Sequence, residues 1–394
     1  MQTVPVILAG GIGERFWPLS RSSAPKQLHA IASERSMLEE TLFRMRACCP
    51  NSSAPLIIAG AAIVDKIADA LGAVDTCAHI LNGRPERGST GSASWMGTLS
   101  SMETDVDIIA EPQGKNTAPA IALAAALIKA KYGDSMMVVV SADHAISPDD
   151  AFELAIYRAV NVAAGRDGLV VFGVKPNRPE TGYGYIELGE KLAADADIGT
   201  GGCAVFKVKR FVEKPNAGDA AAFMESGNFL WNSGMFVWKT SAILEAFKKY
   251  MPDLHGQALA AADKDFTPKA INEFYSACPK ESIDYGIMEK ADNVCAVCGT
   301  FSWDDLGSWE SLSRILGSNG AGTTVDGPAV YESGCGGSLI INKSERALAA
   351  IGLNNVAIIA VDDAILAIDR SRLPELKKYM TEIKSSGKLP ADLF

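Results

Sequence analysis

The segment VILAGGIGERFWPLSR occupies residues 6–21, and Pro25-Lys26 follows it closely. The apolar run Val4 to Leu8, which overlaps the start of this segment, predicts a buried strand that ends in a turn at Gly10-Gly11. Downstream, short apolar runs alternate with helix-like segments. The predicted strands are 55–59, 106–110, 136–140 and 168–174, and the predicted helices are 37–48, 63–71, 116–131 and 148–163. This alternation predicts an α/β protein with a Rossmann-like, mostly parallel sheet that binds ligands at the carboxyl ends of its strands.

Glycines directly after a strand let the backbone approach a phosphate and direct N–H groups toward it. The expected nucleotide contacts here are Ala9, Gly10, Gly11 and Gly13. Arg15 and Lys26 supply the positive charge that a triphosphate needs. A plain strand–turn–helix corner is the alternative. Phe16 stands where a dinucleotide fingerprint requires glycine, which disfavours an NAD-dependent dehydrogenase, and the chain has no G-x-x-x-x-G-K-[ST] loop.

Composition excludes several classes of partner. The 394 residues carry 37 Lys and Arg against 47 Asp and Glu, a net charge of −10, which disfavours nucleic acid or an anionic membrane as main partner. We expect no membrane span and no signal peptide, and therefore a cytoplasmic protein. The eight cysteines are scattered, and Cys295-x-x-Cys298 is better interpreted as buried thiols than as a zinc or redox site.

Two regions interrupt the alternation. Gly, Ser and Thr make up about half of the segment 82–104, which predicts a long loop, and we favour a tolerated insertion over a lid. Beyond residue 317, short β-like runs are punctuated by Gly, Asn and Asp. We therefore predict a catalytic domain at 1–315 and a β-rich domain at 316–394 that ends in an amphipathic helix.

The glycine segment resembles the signature of sugar-1-phosphate nucleotidyltransferases, G-G-x-G-x-R-x-x-P followed by P-K. Its form is similar to that of bacterial mannose-1-phosphate guanylyltransferases. Further motifs follow in order over residues 4–309. They are Glu111-Pro112 with NTAPA at 116–120, ADH at 142–144, PETGYGYI at 179–186, FVEKP at 211–215, WNSGM at 231–235, SIDYG at 282–286 and WDDLGSW at 303–309. The resemblance implies transfer of GMP from GTP to α-D-mannose 1-phosphate, giving GDP-mannose and pyrophosphate.

A sugar phosphate is already anionic at neutral pH, since the second pKa of a phosphate monoester is about 6. The nucleophile needs no general base. It needs cations that offset repulsion between anions, and in-line alignment. The resemblance implies that Asp143 and Asp305 bind Mg²⁺. The alternative for such residues is a turn or helix-cap aspartate, and it stays open for Asp304.

By resemblance, Lys214 binds the sugar phosphate, and Glu213, Asn232 and Gly184 contact the sugar. Neighbours on a strand point to opposite faces, so Glu213 and Lys214 require an irregular backbone, for which Pro215 is suited. Trp231 and Trp238 are expected in the core.

Glu111 is the predicted guanine selector, because a carboxylate accepts both the N1–H and N2–H₂ donors of guanine. Related uridine and thymidine transferases carry Gln there. A solvated strand-end carboxylate is the alternative. Asn116 and Thr117 are expected to contact base or ribose, or to cap the following helix.

The resemblance also allows a short left-handed β-helix in the β-rich domain, and a homodimer. Longer bacterial relatives add a mannose-6-phosphate isomerase domain, which we do not expect here. Another sugar 1-phosphate, such as a manno-heptose, or another nucleoside triphosphate is the alternative substrate. A non-catalytic sensor of sugar nucleotides is the alternative of another class.

Overall fold

A computed structural model describes residues 1–11, 13–72, 78–80, 106–192 and 203–394. The loop predicted at 82–104 lies outside these ranges. The strands of the amino-terminal part are β1 (Thr3–Ala9), β2 (Leu56–Gly60), β3 (Ala78–Ile80), β4 (Val106–Glu111), β5 (Met136–Ser141), β6 (Ala145–Ser147), β7 (Leu169–Val174), β8 (Tyr185–Lys191), β9 (Val205–Val212), β10 (Phe229–Lys239), β11 (Val294–Cys298) and β12 (Ser302–Asp304). Those that follow are β13 (Thr324–Asp326), β14 (Val330–Ser333), β15 (Leu339–Asn342), β16 (Leu348–Ile351), β17 (Val356–Ala360) and β18 (Ile365–Asp369).

The helices are α1 (Met37–Cys48), α2 (Val64–Gly72), α3 (Thr117–Tyr132), α4 (Asp149–Arg166), α5 (Ala217–Ser226), α6 (Thr240–Tyr250), α7 (Pro252–Ala262), α8 (Pro268–Ala277), α9 (Trp309–Leu316) and α10 (Leu376–Ser386). Each helix predicted from the apolar pattern begins and ends close to an observed one. Among the described helices, none is both apolar and long enough to span a membrane.

Ten of the described strands form one large sheet in the order β3-β4-β2-β1-β5-β10-β7-β11-β9-β8. From β3 to β5 all neighbours are parallel. β10 then lies between β5 and β7 and is antiparallel to both, and β8 and β9 also pair in the antiparallel sense. The predicted mostly parallel sheet is therefore mixed, because every neighbouring pair in the first half is parallel, whereas in the second half only β7 and β11 are parallel. A fully buried run of residues has the same apolar pattern in either orientation.

Helix α3 is apolar on every side, and Ala118 to Ile128 are all buried. It packs against the helix pair α6 and α7 and forms one core with the sheet residues Val4, Met137 and Val139. A helix without a polar face belongs inside a protein. Its first turn lies just beyond the carboxyl end of β4, where ligands bind in open α/β sheets.

Packing divides the described chain into two units. The first consists of Met1–Gly10, Thr41–Ala142 and Ile146–Trp303, and the second of Gly11–Glu40, Asp143–Ala145 and Asp304–Phe394. The glycine-rich segment therefore belongs mostly to the second unit. This division follows packing, and the predicted boundary between residues 315 and 316 stays a prediction.

The second unit has a core of its own. Phe16 and Trp17 are buried with Trp309, and the same cluster contains Leu339 and Ile359. The Trp309 indole N–H donates to the Trp17 carbonyl at 3.0 Å. The apolar residues of the F-W-P motif, Phe16 and Trp17, thus anchor the glycine segment to this core.

Parallel strands build the carboxyl-terminal part of that unit. β13, β15 and β17 are parallel neighbours, as are β14 and β16, and β18 closes the first group in the antiparallel sense. The register aligns three residues across β13, β15 and β17, namely Thr324, Leu339 and Ala357. The parallel pairing therefore recurs at similar intervals along the chain. This region is β-rich, and α10 is the expected terminal helix.

Candidate active site

Lys26 lies beneath the glycine turn of the second unit. Gly13 has a φ of 76°, and a Cβ added there would lie 2.5 Å from the Lys26 Cβ. Only glycine meets both conditions, since other residues disfavour positive φ and would displace the lysine. Lys26 itself is only 3% exposed, so the turn packs directly over its aliphatic stem.

The Lys26 ammonium joins the two aspartates expected at a metal site. Its Nζ donates to Asp143 Oδ2 at 3.0 Å and to the Asp305 carbonyl oxygen at 2.9 Å. These two oxygens therefore lie within about 6 Å of each other. We call Lys26, Asp143 and Asp305 the phosphate cluster. The structure brings together three residues that are far apart in the sequence.

The Asp143 carboxyl is held in its ionised form. Burial would raise its pKa, but the nearby charges of Lys26 and His144 and the Lys26 hydrogen bond lower the pKa below its usual value. The side chain nevertheless keeps 39% of its surface exposed. An anionic carboxylate at the end of a buried strand is suited to bind a cation from solvent.

Asp304 and Asp305 have different partners. Asp304 Oδ1 accepts from the Leu306 N–H at 2.9 Å, and its Oδ2 accepts from Arg314 at 2.8 Å. Leu306 has a φ of 45°, so these contacts hold a tight turn. Asp305 accepts from the Gly307 N–H at 2.8 Å. Asp304 is thus the turn aspartate, the possibility that the sequence left open.

Arg15 lies in the short helical turn Glu14–Phe16, next to buried Phe16. Its side chain is exposed and makes no hydrogen bond or ion pair with any residue that the structure describes. Gly11 is exposed as well, and Ile12 lies outside the described residues. An exposed guanidinium beside the glycine turn is available to an incoming anion.

Glu111 is the last residue of β4 and belongs to the first unit. It is 6% exposed, and its Oε1 accepts from the Tyr275 hydroxyl at 2.9 Å. A Cβ added at Gly10 would lie 3.1 Å from Oε2, so Gly10 and Glu111 lie side by side. Burial raises the pKa of Glu111 to about 7 despite the Tyr275 hydrogen bond. The alternative of a solvated carboxylate is therefore wrong, and Tyr275 is a partner that sequence reasoning missed.

Asn116 and Thr117 begin α3. The Asn116 Oδ1 accepts from the Thr117 N–H at 2.9 Å, which is a capping contact. The Thr117 Oγ1 accepts from the Ile283 N–H at 2.9 Å. Ala9, by contrast, is a buried residue at the end of β1, so only its backbone could meet a ligand. The structure thus gives Asn116 a capping role, which leaves its predicted contact with base or ribose untested.

Glu213, Lys214, Asn232 and Gly184 gather in one place in the first unit, and we call them the sugar cluster. Lys214 has a φ of 49°, and its Nζ donates to Glu213 Oε1 at 2.6 Å. The irregular backbone required by this pair is present. Burial alone would lower the pKa of Lys214, but the Glu213 carboxylate raises it. A Cβ at Gly184 would lie 2.4 Å from Glu213 Oε2, so a side chain there would displace the Glu213 carboxylate.

Asp284 is a second residue that sequence reasoning did not assign, although the SIDYG motif contains it. The Asn232 Nδ2 donates to Asp284 Oδ1 at 2.9 Å. Burial first, and then the negative charge of Glu213, raise the pKa of Asp284 to about 7. Trp231 and Trp238 are buried in the core, as expected.

The phosphate cluster fits a hard divalent cation. Asp143 and Asp305 offer carboxylate oxygens, the donors that Mg²⁺ and similar ions prefer. Within the described residues, no group of three His, Cys, Asp or Glu side chains forms a complete metal cage. A cation at this place would need further oxygens from water or a phosphate, which suits an ion that binds together with a nucleotide.

Comparisons with known proteins agree with this geometry. Residues 4–318 match the family model described as nucleotidyl transferase. The chain is 35% identical to a mannose-1-phosphate guanylyltransferase of Escherichia coli K12, over 98% of this chain and 74% of that protein. It is 36% identical to the xanthan biosynthesis protein XanB of Xanthomonas campestris, with the same coverages.

A solved structure from Thermus thermophilus, described as a mannose-1-phosphate geranyltransferase, superposes with a TM-score of 0.77. It is 27% identical over 98% of this chain and all of that one. The resemblance found in the motifs is confirmed, and enzymes of this family generally use a divalent metal. The chain belongs to the nucleotidyl transferase family.

Proposed function

We propose that this protein transfers GMP from GTP to α-D-mannose 1-phosphate, releasing pyrophosphate and forming GDP-mannose. The phosphate cluster carries the proposal. The buried Lys26 contacts both aspartates, and it lies beneath a turn whose residue 13 must be glycine. The similarity to mannose-1-phosphate guanylyltransferases supports the choice of substrates.

In this proposal each residue acts through charge and position. Arg15 and Lys26 bind the triphosphate and offset the repulsion between two anionic substrates. The backbone of Ala9, Gly10, Gly11 and Gly13 follows the phosphates closely. Lys214 exchanges its contact with Glu213 for the phosphate of the sugar, and Gly184, Glu213 and Asn232 orient the sugar ring.

We propose Mg²⁺ as the cofactor, with Asp143 and Asp305 as its protein ligands. When bound, the ion would neutralise charge on the phosphates and polarise the α-phosphorus. Lys26 keeps the Asp143 oxygen oriented and its carboxyl ionised. Replacing either aspartate with Asn should therefore lower turnover by orders of magnitude and leave the fold intact.

We propose further that Glu111 selects guanine, with Asn116 and Thr117 near the base or ribose. Glu111 is buried and fixed by Tyr275 through Oε1, and this leaves Oε2 on the side of Gly10. An amide oxygen at residue 111 would keep the Tyr275 contact and offer guanine one acceptor fewer. The E111Q variant should then lower the preference for GTP over UTP, and an unchanged preference would refute the assignment.

The regular parallel pairing of β13, β15 and β17, and of β14 with β16, supports a short left-handed β-helix at 316–394. The family resemblance supports a homodimer and a cytoplasmic location. Light scattering after gel filtration tests the dimer, because it measures mass directly. A mass close to one chain would contradict it.

The experiment that tests the proposed function measures pyrophosphate release over a grid of nucleoside triphosphates and sugar 1-phosphates with Mg²⁺. We expect the highest kcat/KM for GTP with mannose 1-phosphate. A higher value for a manno-heptose phosphate or for UTP would replace the substrate assignment. Binding of GDP-mannose without pyrophosphate release from any pair would replace the enzyme with a sensor.

A further inference from the structure

Asp284 fixes the orientation of the Asn232 amide. The Asn232 Oδ1 accepts from the Gly234 N–H at 3.0 Å, and its Nδ2 donates to Asp284 Oδ1 at 2.9 Å. A flipped amide would place its oxygen against the Asp284 carboxylate and its NH₂ against the Gly234 N–H, so both contacts would be lost. Asp284 and Gly234 therefore leave the side chain one orientation.

The orientation determines what the sugar cluster offers to a ligand. One Nδ2 hydrogen of Asn232 is used by Asp284, and no second acceptor for this nitrogen exists among the described side chains. The Nδ2 atom lies 3.4 Å from the position of a Cβ at Gly184, and Glu213 Oε2 lies 2.4 Å from the same point. An amide N–H donor and a carboxylate acceptor thus lie next to each other, as a pair of neighbouring sugar hydroxyls would require.

The backbone around Asp284 is tied to the start of α3. The Glu281 N–H donates to the Lys115 carbonyl at 3.1 Å, and the Ala118 N–H donates to the Glu281 carbonyl at 3.1 Å. The Ile283 N–H donates to Thr117 Oγ1 at 2.9 Å. These hydrogen bonds tie residues 281–283, which lead into the short π-helical turn Asp284–Met288, to the start of the helix that follows Glu111. The Asp284 side chain extends from the first residue of this turn to Asn232 on β10.

We propose that Asp284 is a positioning residue for the sugar 1-phosphate, which acts by holding the Asn232 amide from the start of an anchored helical turn. The inference rests on the proposed function and adds a residue to it. Asp284 itself transfers no proton and binds no cation in this role. The negative charge of the Glu213 carboxylate acts on Asp284 and helps to raise its pKa.

The test is a double-mutant cycle in the pyrophosphate-release assay. D284A, which has no acceptor, should raise KM for the sugar 1-phosphate about tenfold, and N232A should do the same. KM for the nucleotide should stay within about twofold for both. If Asp284 acts through Asn232, the double variant should be no worse than N232A alone. D284N keeps an acceptor oxygen and should recover most of the loss.

Exposed Asp253 on α7 provides the control D253A, for which we expect no change in either KM. Additive losses in the cycle, an unchanged KM in D284A, or a D284N as impaired as D284A would each overturn the inference. If D284A unfolds, the cycle is run with D284S, which keeps the backbone and removes the carboxylate. Wild-type protein without transfer from any substrate pair would instead overturn the proposed function, so the two failures are distinguishable.

Discussion

Glu111 should make the stability of the protein depend on pH, and E111Q should remove that part of the dependence. The carboxyl is 6% exposed, and burial raises its pKa from 4.5 to about 7. The folded state therefore holds the proton more tightly than the unfolded state. Its contribution to stability is complete below the unfolded pKa and is lost as the pH rises through 7.

The magnitude follows from the size of this shift. A rise from 4.5 to about 7 corresponds to roughly 3 kcal/mol at about 1.36 kcal/mol per pH unit. About 2 kcal/mol of this change falls between pH 5.5 and pH 8.5. Glutamine does not titrate, and its carbonyl oxygen still accepts from the Tyr275 hydroxyl. E111Q should therefore gain about 2 kcal/mol over wild type across that interval, whatever the constant offset from the substitution.

Urea unfolding of both proteins at several pH values measures the difference. Asp284 titrates in the same direction, because its pKa is also raised to about 7, but it is present in both proteins and cancels. Glu225 on α5 is exposed, so E225Q serves as the control and should follow wild type at every pH. A difference between E111Q and wild type that stays constant with pH would refute the burial argument.

Three further predictions concern the phosphate cluster and the residues around it. G13A should abolish most activity and lower the free energy of unfolding by about 1–3 kcal/mol, because Gly13 has a positive φ and an added Cβ would collide with Lys26. Unchanged unfolding in urea would contradict this steric argument. K26M should raise the pKa of Asp143, which carboxylate titration by NMR would measure. It should also reduce turnover in the pyrophosphate assay by orders of magnitude. An Asp143 pKa equal to that of wild type would show that Lys26 does not control the ionisation of Asp143. R314A should lower the free energy of unfolding by about 1–3 kcal/mol, because it removes a cation that pairs with the buried Asp304. It should also lower the affinity for Mg²⁺, since Asp304 holds the turn beside Asp305. Wild-type stability would show that the turn does not need Arg314.

The first half of the fold could be predicted because local pattern decides it. β1 and its glycine turn, and the all-apolar α3, have patterns that few other structures share. β10 could not be oriented from sequence, since a run buried on both faces has the same pattern in parallel and antiparallel sheets.

The same distinction applies to the site. Lys26 and Asp143 could be predicted as residue types, and the structure added the direct contact between them. The roles of Tyr275 and Asp284 could not be predicted, because their partners, Glu111 and Asn232, are distant in the sequence. Their pairing depends on how α8 and the π-helical turn Asp284–Met288 pack against the sheet. No local pattern encodes that packing.

The most direct test of the account is the Mg²⁺ dependence of GDP-mannose synthesis by wild type, D143N and D305N. We predict saturable activation of wild type by Mg²⁺, and for each variant a loss of at least a hundredfold in kcat, while a cooperative unfolding transition in urea shows that the variant is still folded. Wild-type turnover without a divalent cation, or a fully active D143N, would show that these two aspartates do not bind the metal for phosphate chemistry.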